Sequence, residues 1–217
     1  MNLSELIKQE KLIAIMRGLG HRQAVQVCKA LYKGGIRFAE VTFNQKSPTC
    51  IEDAAAAIRA ISEQVPQINV GAGTVITLEQ VEASYKAGAK YIISPNTDET
   101  VIKRTVELGM ISMPGAFSPS EIVKAHDWGA GFVKVFPAGN LGVAYIKAIR
   151  APISHIPLLA VGGVNLENMK AFYEAGVCGF GIGANIVNAE LVKKEDYEAL
   201  SSLASRYVAT AASLGKD

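Results

Sequence analysis

The sequence predicts an α/β fold, a single (β/α)8 TIM barrel across residues 1–217 with an extra N-terminal helix. Three observations predict it. Short apolar runs alternate with amphipathic stretches eight times, with no change of composition along the chain. The runs are rich in Val, Ile and Ala and apolar at successive positions, the pattern of parallel strands covered by helices on both faces. Eight such units favour a closed ring, and a chain of 217 residues, somewhat below the ~250 typical of that fold, requires tight loops. A doubly wound open sheet is the alternative. It needs a reversal of strand order that the sequence neither shows nor excludes.

The elements follow in order. Met1-Asn-Leu-Ser-Glu-Leu-Ile-Lys-Gln-Glu10 reads as an amphipathic helix start with Ser4 as its cap, and it lacks the apolar core of a signal peptide. Strands are expected at 12–17, 37–42, 69–73, 91–94, 111–114, 132–136, 158–161 and 179–183. Helices are expected at 22–33, 50–62, 78–87, 99–108, 119–128, 143–150 and 166–175, with a terminal helix at 194–214. Gly34, Gly88, Gly109, Gly129 and Gly176 stand just past helical runs, where a left-handed residue stops a helix. Thr77, Asp98, Ser118 and Asn165 stand where a capping side chain is wanted. Ser118-Pro-Ser-Glu121 also has capping-box spacing, with proline at the first helical position.

Composition narrows the function. Apolar residues make up 49% of the chain and charged residues 19%, which supports a sizeable core and argues against disorder. The net charge is +2 with the signs interspersed. No basic run tracks a phosphate backbone, so nucleic acid is not an expected partner. Charges, Gly or Pro interrupt every apolar stretch before it reaches the length of a membrane span, so no membrane partner is expected either. Cys28, Cys50 and Cys178 are scattered, without CxxC spacing, and read as small fillers rather than a redox pair or metal site. A cytoplasmic location is the expectation.

The chemistry centres on Gly131-Phe-Val-Lys-Val-Phe-Pro-Ala-Gly-Asn140, a short buried strand with Lys134 in its middle. An unpaired buried ammonium costs several kcal/mol. Burial therefore favours the free amine, and a free amine attacks a ketone to form an imine. The alternative is a lysine whose stem is packed and whose head reaches water. In a parallel barrel the carboxyl ends of the strands build the active face. The run 12–17 is apolar until Arg17. Phe38-Ala-Glu-Val-Thr42 carries Glu40, with Thr42 on the same side two residues on, and Lys134 shares a side with Phe136 by the same rule. A cation, a carboxylate and an amine thus converge on the mouth from the first, second and sixth strands. A structural ion-pair trio fits the same residues.

The loops add an anion site. Ala160-Val-Gly-Gly-Val-Asn165 and Gly181-Ile-Gly-Ala-Asn185 follow the last two strands, where barrels commonly cradle phosphate on backbone N–H groups. Gly162, Gly163 and Gly183 are its candidate positions, with Ala184 in the same loop; plain turns fit them as well. Gly71-Ala-Gly-Thr74 lets backbone approach the mouth and offers the Thr74 hydroxyl. Ser94-Pro-Asn96 and Pro114-Gly-Ala-Phe117 stiffen the rim, Pro95 among them.

Assembled, these motifs resemble the bacterial 2-keto-3-deoxy-6-phosphogluconate (KDPG) aldolase family, which includes 4-hydroxy-2-oxoglutarate (KHG) aldolases and 6-phospho-2-dehydro-3-deoxygalactonate enzymes. The resemblance covers nearly the whole chain. It rests on Ile13-Ala-Ile-Met-Arg17, Glu40-Val-Thr42, Gly71-Ala-Gly-Thr-Val75, Ser94-Pro-Asn96, Met113-Pro-Gly115, Val133-Lys-Val-Phe-Pro137 and Val161-Gly-Gly-Val164. It implies a class I aldolase without metal or cofactor, acting as a homotrimer on a small-molecule 2-keto acid, of KDPG type, to give pyruvate and glyceraldehyde 3-phosphate. By resemblance Lys134 forms the Schiff base and Glu40 is the general acid/base. Arg17 and Thr74 match groups near the pyruvyl carboxylate, Phe136 the aromatic wall, and Gly162, Gly163 and Gly183 the phosphate end. The substrate positions taken from the resemblance also include Thr42, Asn44, Pro95 and Val161, and the phosphate loop includes Ala184. Some KDPG enzymes have arginine where this chain has Asn44 and threonine where it has Val161, and many members have serine where it has Ala184. Arg17, Asn44 and Val161 look closer to the galactonate branch.

Two other classes fit less of the sequence. A metal-dependent phosphosugar epimerase needs His and carboxylate ligands at strand ends, and none of His21, His126 and His155 falls there. A non-catalytic barrel that recognises an acidic metabolite through Arg17, Glu40 and Lys134 uses the same residues and stays open.

Overall fold

A computed structural model describes residues 2–215. Residues 1, 216 and 217, included in the expected domain, lie outside the described residues. The first helix, α1 (Leu3–Glu10), is capped by Asn2, not Ser4. Asn2 Oδ1 accepts the Glu5 N–H at 2.9 Å while Glu5 Oε2 accepts the Asn2 N–H at 3.1 Å, a reciprocal box that satisfies two orphan donors. Lys11 then turns left-handed, at φ 61°, into the first strand.

The chain continues as β1 (Leu12–Met16), α2 (His21–Lys33), β2 (Phe38–Thr42), α3 (Cys50–Gln64), β3 (Asn69–Gly73), α4 (Leu78–Lys86), β4 (Tyr91–Ile93) and α5 (Glu99–Glu107). Next come β5 (Ile111–Met113), β6 (Gly115–Ala116), α6 (Pro119–Asp127), β7 (Val133–Val135), α7 (Ala138–Arg150), β8 (Leu158–Val161), α8 (Met169–Glu174) and β9 (Gly179–Ile182). Two helices, α9 (Ala189–Lys193) and α10 (Tyr197–Ser213), follow. All strand pairs are parallel, in the order β5-β4-β3-β2-β1-β9-β8-β7-β6.

The fifth strand of the expected eight is split. Pro114 has no N–H for a ladder, so Ile111–Met113 pairs with β4 and Gly115–Ala116 pairs with β7. The ring closes through this broken segment, where the Pro114 carbonyl accepts the Lys134 N–H at 2.9 Å and Ser112 O accepts the Gly131 N–H at 3.0 Å.

Other expected boundaries shift for local reasons. The left-handed residue after α2 is Gly35 (φ 96°), not Gly34 (φ −76°). Helix α7 begins at Ala138, five residues earlier than read, and bends at Gly142 (φ 80°, ψ 167°). Asn165 caps a turn rather than a helix, its Oδ1 accepting from the Glu167 and Asn168 N–H groups, so α8 starts later. Helix α9, unread in the sequence, precedes the terminal helix and is capped by Asn188.

Side chains alternate between two cores. Outward positions such as Leu12, Ala14, Met16, Val41 and Val133 meet the helices. Inward positions, including Ile13, Ile15, Phe38, Tyr91, Ile93, Met113, Phe132, Leu159 and Val161, fill the barrel. Helix α1 joins this inner cluster through Ile7, with Leu3 and Leu6 against it, and so plugs the amino-terminal end of the ring. Full burial of Ile7 (2% exposed) contributes ~1.5–3 kcal/mol. The main cavity opens at the other end, among the loops that follow the strands. No helix among the described residues is long and apolar enough to cross a membrane.

Candidate active site

Glu40, the middle residue of β2, and Lys134, the middle residue of β7, both point inward and line one cavity. Glu40 stands level with Ile15 on β1 and Gly71 on β3; Lys134 stands level with Gly115 on β6 and Leu159 on β8. Glu40 is 2% exposed and Lys134 7%. The carboxylate fits because β3 carries no side chain beside it. A Cβ on Gly73 would lie 1.6 Å from Glu40 Oε1, and one on Gly71 would lie 2.2 Å from the Tyr91 ring. The sequence suggests that these glycines bring backbone to the mouth. Their role in the structure is to make room for two large side chains inside the barrel. Tyr91 sits among the inner core residues and donates its hydroxyl to Ala39 O at 2.7 Å.

Burial sets the electrostatics. Desolvation pushes the Glu40 acid above its ordinary range, against the opposing pull of the Lys134 and Arg17 charges. Desolvation pulls the Lys134 amine below the ordinary 10.5, reinforced by Arg17 and opposed by Glu40. Both shifts favour the neutral forms of the two groups, the amine and the carboxylic acid. Glu40 Oε2 is buried and has no hydrogen-bond partner, so the acid keeps one oxygen available for a proton. Lys134 Nζ lies 4.6 Å from the centroid of the Phe136 ring, over the π face that attracts a cation.

These groups open into a cavity of about 830 Å³. Arg17, Thr74, Pro95, Phe136 and Val161 line it, as do Gly162, Gly163, Gly183 and Ala184 from the last two loops. Thr42 and Asn44 do not. They line an adjoining cleft of about 260 Å³ with His21 and Asp53, which shares Gly18 and Leu19 with the larger cavity. The Thr42 hydroxyl donates to Met16 O at 3.1 Å, and Asn44 Oδ1 accepts the Lys46 N–H in its own loop.

The rim is held by backbone geometry. Thr74 is left-handed at φ 59°. Its carbonyl accepts from Gln45 Nε2 at 2.7 Å, Gln45 Oε1 accepts from Gln80 Nε2, and Gln80 Oε1 accepts the Ile76 N–H. Gly162 and Gly163 are left-handed at φ 86° and 76°. The Gly162 carbonyl accepts the Gly139 N–H at 2.8 Å, and a Cβ on Gly163 would come within 3.0 Å of Gly139. Among the described residues the Gly163, Ala184 and Asn185 N–H groups have no protein acceptor.

The sequence reading missed several lining residues. Leu19 and Gln23 come from the start of the α2 unit, and Val187, Val192 and Lys193 from the α9 segment. The readable signal for α9 was Asn188, whose side chain accepts from the Glu190 and Leu191 N–H groups. Among the described residues no three His, Cys, Asp or Glu side chains are grouped to hold a metal ion.

A family model described as KDPG and KHG aldolase matches residues 3–203. The 2-dehydro-3-deoxy-6-phosphogalactonate aldolase of Escherichia coli is 36% identical over 179 residues, covering 82% of this chain and 85% of the relative. The KHG/KDPG aldolase of the same organism is 34% identical over 200 residues, covering 90% of this chain and 89% of the relative. A solved KDPG aldolase from Legionella pneumophila, with pyruvate captured as a covalent carbinolamine intermediate, superposes with a TM-score of 0.82 at 26% identity, over 94% of this chain and 97% of that one.

Proposed function

The chain belongs to the KDPG and KHG aldolase family, and from that premise we propose a class I aldolase that reversibly cleaves a 2-keto-3-deoxy-6-phospho sugar acid to pyruvate and glyceraldehyde 3-phosphate. The observation that carries the reading is the buried amine, pulled below its ordinary range, in one cavity with a buried acid pushed above its own. The pyruvate carbinolamine of the Legionella relative supports the same chemistry.

In this proposal the Lys134 amine adds to the C2 ketone, and Glu40 gives its proton to the departing hydroxyl as the carbinolamine loses water, leaving a protonated imine and a Glu40 carboxylate. That imine is the electron sink. The C3–C4 bond breaks, its electron pair forms an enamine with C2, and the C4 hydroxyl proton passes to Glu40. The aldehyde leaves. Glu40 then returns a proton to C3, and water hydrolyses the imine to free pyruvate and Lys134. A carboxyl group whose pKa is raised by an apolar site is suited to move a proton both ways near neutral pH. Arg17, coupled electrostatically to both groups, holds the substrate carboxylate with Thr74, and the two glycine loops take the phosphate. Phe136, Pro95 and Val161 form the walls.

The galacto-configured epimer at C4 is the second reading. It is favoured by Val161, an apolar wall residue, and by the 2-dehydro-3-deoxy-6-phosphogalactonate relative. The chain acts as a single-domain homotrimer in this proposal. Exposed Ile76, Leu78 and Phe117 support a covered surface.

The test is trapping. Borohydride with pyruvate should leave a stable mass on the peptide containing Lys134, Lys134→Ala should abolish it, and a chelator should leave turnover intact. Absence of the adduct, or loss of turnover with the chelator, would sink the proposal. A panel of C4 epimers, with and without phosphate, ranks the substrates.

A further inference from the structure

Resting on the aldolase reading, we infer that Lys193 supplies the positive charge that selects substrates carrying a distal phosphate. The charges lining the cavity are unevenly placed. Arg17 acts on Lys134 and Glu40 together, so its charge belongs to the reacting end. The glycine loops form another part of the wall, and there the side chains offer little to an anion. Ala184 presents a methyl group. Asn185 lines the cavity, but its Nδ2 donates to Val164 O at 2.8 Å and is already used. What those loops provide is backbone N–H groups, which are neutral donors.

A phosphate dianion held by neutral donors alone lacks a counter-charge. Helix α9, which follows the Gly183–Asn185 loop after three residues, brings Lys193 to the lining of the same cavity. Among the described residues Lys193 makes no ion pair or side-chain hydrogen bond, even with Glu190 one turn earlier on its own helix. Its ammonium is thus an uncommitted point charge with three donors, on a stem flexible enough to meet a phosphate of variable reach. The remaining basic group of the lining, Lys134, is committed to the carbonyl.

The experiment measures the ratio of kcat/KM for a 6-phosphorylated 2-keto-3-deoxy acid to that for its unphosphorylated analogue. Lys193→Gln should lower this ratio about tenfold, the size of one charge-assisted hydrogen bond. Lys193→Glu should lower it further, and Lys193→Arg should restore most of it. Inorganic phosphate should inhibit the parent competitively and the Lys193→Gln variant more weakly. Lys194→Gln removes an exposed charge next in sequence that does not line the cavity, and it should keep the parent's ratio. An unchanged ratio in Lys193→Gln, or an equal fall in Lys194→Gln, would overturn the inference. Borohydride trapping of pyruvate by the parent separates the two claims. An adduct with an unchanged ratio removes Lys193 from recognition but leaves the aldolase standing, and no adduct removes the aldolase itself.

Discussion

Replacing Gly73 with alanine tests whether the Glu40 carboxylate must stand where it does. The new Cβ would lie 1.6 Å from Oε1, 2.2 Å from Cδ and 2.5 Å from Cγ of Glu40. Ordinary carbon contacts begin near ~3.5 Å, so the carboxyl group must retreat by roughly 1–2 Å from its present place. The barrel interior leaves it little room, since Glu40 is 2% exposed and level with Ile15 on the other side. Overpacking of this kind costs ~1–3 kcal/mol, a fall in Tm of about 2–12 °C for a chain of this size. Displacing a catalytic group by ~1 Å lowers turnover on the order of 10²-fold. The assay is steady-state aldol cleavage beside pyruvate–borohydride trapping. Glycine-to-alanine at 73 should lose turnover while Lys134 still forms the adduct. Gly71→Ala, whose Cβ strikes the Tyr91 ring instead, should lose stability with a smaller loss of turnover. A folded Gly73→Ala protein that turns over within about twofold of the parent would show that the position of Glu40 does not matter.

Two pH dependences follow from the burial of the pair. Burial raises the Glu40 pKa above its unfolded value. Its contribution to stability is therefore fully present below ~pH 4 and is lost as the pH rises through the folded pKa. Glu40→Gln lacks this loss, so its stability relative to the parent should climb from acid toward neutral pH in urea unfolding; a difference independent of pH would contradict the assignment. For Lys134 the shift is downward from 10.5. The rate of pyruvate trapping should rise with pH and reach half its plateau below that value, whereas a midpoint at the ordinary lysine pKa would mean that the amine is not desolvated.

Lys134 and Glu40 were legible because a charge inside a short apolar run has few structural explanations, and the two-residue repeat of a strand fixes its side. The ring was legible from the same runs and from the Gly and Pro residues between them. The two-residue repeat could not say which neighbour a polar group would bind, and the Thr42 hydroxyl donates to Met16 O. Gly73 read as a backbone device because its reason, the Glu40 carboxylate, sits on another strand. Pro114 read as a strand end, yet Gly115 and Ala116 pair beyond it with β7. Two residues carry no periodicity, and the five of α9 carry too little. Asn165 has the chemistry of a helix cap but serves a turn, since an Asx turn and a helix start use the same side-chain oxygen.

Helix α1 is made before every strand of the ring, yet it docks against β9 and α10 near the other end of the chain. As the protein leaves the ribosome, the stripe of Leu3, Leu6 and Ile7 has no finished surface to cover it until the final parallel strand arrives. A nascent chain halted before Gly179 therefore displays that stripe to the surrounding cell, a condition that invites aggregation and chaperone capture.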